Sequence, residues 1–222
     1  HMEKLVDFIN ETDLNAMAEA DVVIEAVVEK LDVKKEVFQR LDEILPADAL
    51  LTTNTSSMSI TELANQTKRP KQVAGMHFFN PPQVMKLVEV IRGYYTSDET
   101  IQTLFEFAKA LGKEPVEVKK DTPGFIVNRV MTAQFIEAMR LVEEGVATPE
   151  DIDKAVTLGL NYPMGPFTLQ DFAGVDIGYY VMDYLHKELN DNRFAPPQSL
   201  KQLIRAGRLG KKTGAGWYDY DK

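Results

Sequence analysis

The chain of 222 residues contains no cysteine, which excludes disulfides and thiolate chemistry and matches the usage of cytoplasmic proteins. It contains no G-x-G-x-x-G, the glycine turn that lets a helix N-terminus approach a dinucleotide pyrophosphate. No apolar run approaches the roughly 18 residues of a membrane span, so a membrane is not expected as a partner. Positive charge is in deficit: 25 Lys and Arg stand against 34 Asp and Glu, for a net charge of -9. Nucleic acid is therefore not expected as the main partner, while local lysines and helix N-termini remain able to hold an anionic cofactor. Histidine is scarce, with three in all. His1 precedes Met2 in what looks like a cloning scar and is set aside, which leaves His77 and His186. There is no Cys/His cluster with metal-ligand spacing, so no metal is expected, and there is no internal repeat.

What is present reads as an ordinary globular chain, 44% hydrophobic and 27% charged, long enough for two domains. Asp13 to Ala20 reads as a short helix capped by Asp13. Val22 to Val28 is a near-continuous apolar run that suits a strand buried on both faces. From Asp32 the residues Val33, Val37, Leu41, Ile44 and Leu45 fall on one helical face that Pro46 ends. Strands follow at Leu50 to Thr53, Val73 to Phe79 and Leu87 to Ile91, with a short capped helix over Ser59 to Gln66. Ile101, Leu104, Phe105, Ala108 and Leu111 form a helical stripe closed by Gly112, and Pro115 to Lys119 alternates as an exposed strand. This order predicts a mostly parallel sheet with an antiparallel edge. Beyond Asp121-Thr122-Pro123-Gly124 only helical patterns occur: Phe125 to Glu144, a helix opened by Thr148-Pro149, one long helix from Pro166 to near Leu189, and Ser199 to Ala206. The expected fold class is therefore α/β followed by all-α, with domains over residues 3–121 and 122–222.

Several residues carry chemistry. His77 follows an apolar run, and Glu89 lies on the next strand after a Pro-Pro turn, so adjacent strands can bring them together. An imidazole whose far nitrogen is held by a carboxylate is a competent base near neutral pH; the alternative is a structural histidine beside a surface charge. Ser56 follows the strand that ends at Thr53, where its hydroxyl can meet a substrate oxygen or cap a helix. Asn128 sits one turn into the helix after the domain junction, as a cleft residue or as a polar surface position.

Taken together, these stretches resemble the short-chain L-3-hydroxyacyl-CoA dehydrogenase family, of the 3-hydroxybutyryl-CoA dehydrogenase type, over residues 5–222. The stretches are Val22 to Glu29, Asn54-Thr-Ser-Ser, His77 to Glu89, Asp121 to Arg129, Tyr162 to Pro166 and Gly210-Lys-Lys-Thr-Gly214. The resemblance implies a partial Rossmann-type sheet followed by a helical dimerisation domain. It implies that His77 is the acid/base, Glu89 its orienting partner, and Ser56 and Asn128 ligands of the substrate oxygen. Glu29, Lys34, Ser56, Asn80 and Lys212 would contact the cofactor, which is NAD, with NADP left open. The substrate would be an acyl-CoA, oxidised at its 3-hydroxyl carbon. The protein would be a homodimer or higher oligomer through residues after about 123, and apolar residues such as Phe135, Ile136, Met139, Leu141, Val142, Tyr179 to Met182, Tyr184 and Leu185 would supply its surface.

The family also begins with a strand, a glycine turn and a helix that this sequence does not contain, roughly 60–80 residues at the usual size of a βαβ unit ahead of Glu3. Weak NAD affinity is the expectation for this polypeptide, because a helix N-terminus normally holds the pyrophosphate. Two readings follow: a 3-hydroxyacyl-CoA dehydrogenase, or a catalytically inactive, self-associating fragment of one. A dehydrogenase of free hydroxy acids or sugar acids is a third, disfavoured by the whole of the His77 to Glu89 stretch.

Overall fold

The computed structural model describes residues 13–220, so the expected domain start at residue 3 and the first part of the family resemblance lie outside the described residues. Contacts separate the chain into two compact units, His1–Thr122 and Pro123–Lys222.

The first unit is a five-stranded sheet with helices. Strands β1 (Val22–Glu25), β2 (Leu50–Thr53), β3 (Val73–Phe78), β4 (Leu87–Arg92) and β5 (Glu114–Val118) lie side by side in that order. Helices α1 (Leu31–Ile44), α2 (Ile60–Ala64) and α3 (Asp98–Ala110) connect them. The pairs β1·β2, β2·β3 and β4·β5 are parallel, and β3·β4 is antiparallel. The antiparallel step is thus inside the sheet, where an antiparallel edge was expected. Its cause is the short Pro-Pro connection after Phe78, because a parallel crossover needs roughly a dozen residues or more. Ala74, Met76, Val88 and Val90 alternate onto one face and pack with Ile101, Leu104 and Ala108 of α3. The opposite face carries Gly75 and His77 from β3, and Glu89 and Ile91 from β4. A Cβ on Gly75 would lie 2.8 Å from Ile91 Cδ1 and 2.9 Å from Ile60 Cδ1, so only glycine admits this approach of α2 to the sheet.

Two expectations for this unit are corrected. The run from Val22 forms a strand only to Glu25, and Val27 and Val28 are exposed. The reason is position: β1 is the outermost strand among the described residues, so it is only half-buried along most of its length. The buried face of α1 is Lys34, Phe38 and Leu41, continued by Leu45, one residue out of phase with the stripe expected from Val33 and Val37. Lys34 takes a core position because its charge is met by carboxylates rather than by water.

The second unit is helical: α4 (Val127–Glu143), α5 (Pro149–Leu160), α6 (Pro166–Ala173), α7 (Val175–Leu189) and α8 (Gln198–Arg205). They enclose Phe135, Ile136, Met139, Phe167, Met182, Leu185 and Leu200. The single long helix expected from Pro166 to Leu189 is two helices, because Gly174 adopts φ 108° and bends the chain between them. Asp153 of α5 accepts the Phe167 and Thr168 amides, both at 2.8 Å, and so caps α6 from another helix. Asp171 accepts the Trp217 and Tyr218 amides at 2.9 and 3.0 Å, which fixes the segment after Gly210-Lys-Lys-Thr-Gly214 onto α6. Among the described residues no helix is long and apolar enough to cross a membrane.

The residues named for the dimer surface are mostly not on a surface. Phe135, Ile136, Met139, Met182 and Leu185 are core, and Leu141, Val142, Tyr179 and Val181 pack against it. They are consumed by the fold because α4 and α7 pack on several neighbours. The exposed apolar side chains of this unit are others, including Val130, Leu158, Phe172 and Ile177, together with Tyr180.

Candidate active site

The antiparallel pairing of β3 with β4 sets His77 directly opposite Glu89. Cross-strand partners on one face stand about 5 Å apart at Cβ, which two side chains span with one hydrogen bond. His77 Nδ1 and Glu89 Oε2 are 2.8 Å apart. His77 is 4% exposed and Glu89 1% exposed, so water competes little with the bond. With Glu89 ionised, Nδ1 carries the proton and Nε2 presents its lone pair. Ser56 Oγ lies 3.1 Å from that Nε2, and the Phe79 ring lies 4.6 Å from the imidazole, tilted against it.

Ser56 reaches this place because β2 runs parallel beside β3 and the turn after Thr53 leaves at the carboxyl end, where ligands bind in open α/β sheets. The turn is held from several sides. Asn54 Oδ1 accepts the Phe78 amide at 2.8 Å, which ties it to the strand of His77. Thr55 Oγ1 accepts the Met58 amide at 3.0 Å and donates to Glu29 Oε1. That Glu29 oxygen also accepts from the Ser56 amide at 3.2 Å and the Ser57 hydroxyl at 3.3 Å. Lys34 Nζ stands 3.2 Å from the other Glu29 oxygen and 2.8 Å from Glu25 Oε1.

The structure thus brings Ser56, His77, Glu89, Glu29 and Lys34 into one connected polar cluster within the first unit. Glu29 is partly open, its side chain 42% exposed, while Lys34 is enclosed at 1%. Asn80 is exposed just beyond β3, ahead of a cis peptide bond to Pro81. Asn128 and Lys212 belong to the helical unit. Asn128 lies in the first turn of α4, half-buried, and Lys212 Nζ is bound to both oxygens of Asp176 at 2.6 and 2.7 Å. Asn54, Thr53, Thr55 and Glu25 were not anticipated from sequence. The available signal was Glu25 itself, an acidic residue ending an apolar run with threonines at the end of the neighbouring strand. Among the described residues no group of three or more His, Cys, Asp or Glu could hold a metal ion.

Two family models match the chain, and both describe one family. The profile described as "3-hydroxyacyl-CoA dehydrogenase, NAD binding domain" matches residues 1–122, and that described as "3-hydroxyacyl-CoA dehydrogenase, C-terminal domain" matches residues 124–220. The chain is 47% identical over 211 residues to a 3-hydroxybutyryl-CoA dehydrogenase of Clostridioides difficile, covering 95% of this chain and 75% of that one. It is 50% identical over 201 residues to the mitochondrial hydroxyacyl-coenzyme A dehydrogenase of Homo sapiens, covering 90% of this chain and 64% of that one. Among solved structures, an (S)-3-hydroxybutyryl-CoA dehydrogenase from Ralstonia eutropha superposes with a TM-score of 0.92 at 42% identity, over 96% of this chain and 75% of that one.

Proposed function

The chain belongs to the 3-hydroxyacyl-CoA dehydrogenase family, and on that premise we propose that it interconverts a 3-hydroxyacyl-CoA, 3-hydroxybutyryl-CoA first among them, and the 3-ketoacyl-CoA. The observation that carries this reading is the relay from buried Glu89 through buried His77 to Ser56 at the surface of the site. NAD, when bound, supplies the hydride acceptor at C4 of its nicotinamide. The residues present fit it: Glu29 and Asn80 are exposed at the carboxyl edge of the parallel strands, and they offer an acceptor oxygen and an amide of the kind that a nicotinamide carboxamide pairs with.

In the oxidative direction His77 Nε2 removes the proton of the substrate 3-hydroxyl. Glu89 holds Nδ1–H and stabilises the imidazolium as it forms. Ser56, already within hydrogen-bond reach of Nε2, shares the substrate oxygen and keeps it on the line of proton transfer. In the reductive direction the imidazolium returns the proton to the carbonyl oxygen. Asn128 and Lys212 belong to this reading as ligands of the substrate oxygen and of the cofactor. The account also includes a homodimer through the helical unit and a cytoplasmic setting, which rest on the exposed apolar side chains of that unit and on the lack of cysteine. Neither the fold nor the relatives favour the inactive-fragment alternative. Consumption of NADH in the presence of acetoacetyl-CoA tests the proposal, and a chain that reduces free 3-keto acids in its place would redirect it.

A further inference from the structure

Glu25 closes β1 with a carboxylate in a residue only 4% exposed, and the acid/base relay makes no direct use of it. A carboxylate is tolerated in such a place only where a cation and donors meet it. Lys34 stands 2.8 Å from Glu25 Oε1, the Val27 amide donates to the same oxygen at 2.6 Å, and the Thr53 hydroxyl donates to Oε2 at 2.8 Å. The backbone carbonyl of Glu25 accepts the Asn54 amide at 2.8 Å. One residue therefore grips the exit of β2 by backbone and by side chain.

Two routes lead from Glu25 to Ser56. On the first, Thr53 Oγ1, oriented by its donation to Glu25, accepts the Thr55 amide at 3.2 Å. On the second, Lys34 spans from Glu25 to Glu29 Oε2, and the other oxygen of Glu29 holds Thr55, Ser56 and Ser57. Lys34 also donates to the Val27 carbonyl at 3.3 Å, so its ammonium has two hydrogen-bond acceptors besides its ion pair with Glu29. A lysine so enclosed serves to hold carboxylates in place.

We propose that Glu25 is a positioning residue for the Ser56–His77 pair, acting through Thr53 on one side and through Lys34 and Glu29 on the other. The charge balance says what its loss does. One ammonium stands between two carboxylates, and neutralising Glu25 leaves Lys34 drawing on Glu29, which moves toward α1 and away from the turn that it holds. Ser56 Oγ then loses its place beside Nε2. The inference rests on His77 as the acid/base, yet its test reads the imidazole itself and not turnover.

Histidine ring nitrogens labelled with 15N give few signals in a chain with three histidines, and His186, on α7 of the helical unit, is the internal reference. Ser56→Ala calibrates the loss of the Ser–His bond. Glu25→Gln is expected to move the His77 ring signals in the same direction and by a comparable amount, with His186 unmoved and the circular dichroism unchanged. Should Glu25→Gln not fold, Thr53→Val decides, since it cuts the first route while the buried ion pair stays whole; it is expected to displace His77 in the same sense. His77 signals at their wild-type positions in the deciding variant would overturn the proposal and leave the cluster as a tie between α1 and the sheet. Failure of the acid/base reading would show separately, as turnover retained in His77→Gln.

Discussion

Glu89 Oε2 lies 2.8 Å from His77 Nδ1 across a register-matched antiparallel pair, and both side chains are buried. A carboxylate on Nδ1 holds the imidazole in one tautomer and one orientation, with Nε2 turned toward Ser56. Glu89→Gln keeps a hydrogen-bond acceptor but removes the charge. The variant is expected to lose less turnover than the roughly 10²–10⁴-fold typical of removing the base itself. Turnover by Glu89→Gln at the wild-type rate would separate Glu89 from the chemistry.

Gly75→Ala places a methyl against Ile91 and Ile60 at less than 3 Å. Overpacking of this kind costs about 1–3 kcal/mol. Urea unfolding should show that loss in midpoint at an unchanged slope. A neutral result would mean that α2 sits further from the sheet than described.

The tyrosines of the last segment set an alkaline limit. Burial, then the hydrogen bond to Asp153, pushes the Tyr218 hydroxyl well above the usual phenol range, and burial with the Asp171 bond does the same for Tyr220. A raised pKa in the folded state means that the folded chain keeps its proton where the unfolded chain has lost it. The stabilisation is therefore full below about pH 10, the ordinary tyrosine value, and is lost as pH rises above that toward the folded pKa. Tyr218→Phe should lose about 1 kcal/mol at neutral pH for the missing hydrogen bond and show a shallower decline above pH 10. An equal decline in both proteins would assign alkaline unfolding to other groups.

Val130, Leu158, Phe172, Ile177 and Tyr180 leave apolar surface exposed on the helical unit. Light scattering is expected to return a dimer mass, with charged substitutions at Phe172 or Tyr180 shifting it toward monomer. A monomer at every concentration would remove the dimer from the account.

The readable part of the site was the part written in strand periodicity. His77 and Glu89 flank a Pro-Pro turn, and a period of two on adjacent strands places them face to face. Ser56 was readable because the threonine-rich run before it ends a strand. Glu25 was not, and Lys34 was named only through the family likeness and not for its burial, since a lysine on the buried phase of α1 makes sense only once the carboxylates of another strand and turn are beside it. The break at Gly174 was missed for a related reason: an amphipathic pattern continues across it, and only the backbone reveals the positive φ. Likewise the apolar side chains of α4 and α7 do not say in sequence which neighbour covers them. Glu29, Lys34, Asn80 and Lys212 were drawn from family likeness alone, and Lys212 is seen paired with Asp176.

The most direct test is the reduction of acetoacetyl-CoA by NADH, with the wild type and His77→Gln measured side by side. Each is assayed as the present chain and as a version extended at its N-terminus by the glycine-rich βαβ unit of a relative. In every form in which the wild type turns over, His77→Gln should be slower in kcat by about 10²–10⁴-fold, with its fold unchanged by circular dichroism. His77→Gln turning over at close to the wild-type rate, or no reduction by the wild type in either form, would contradict the account.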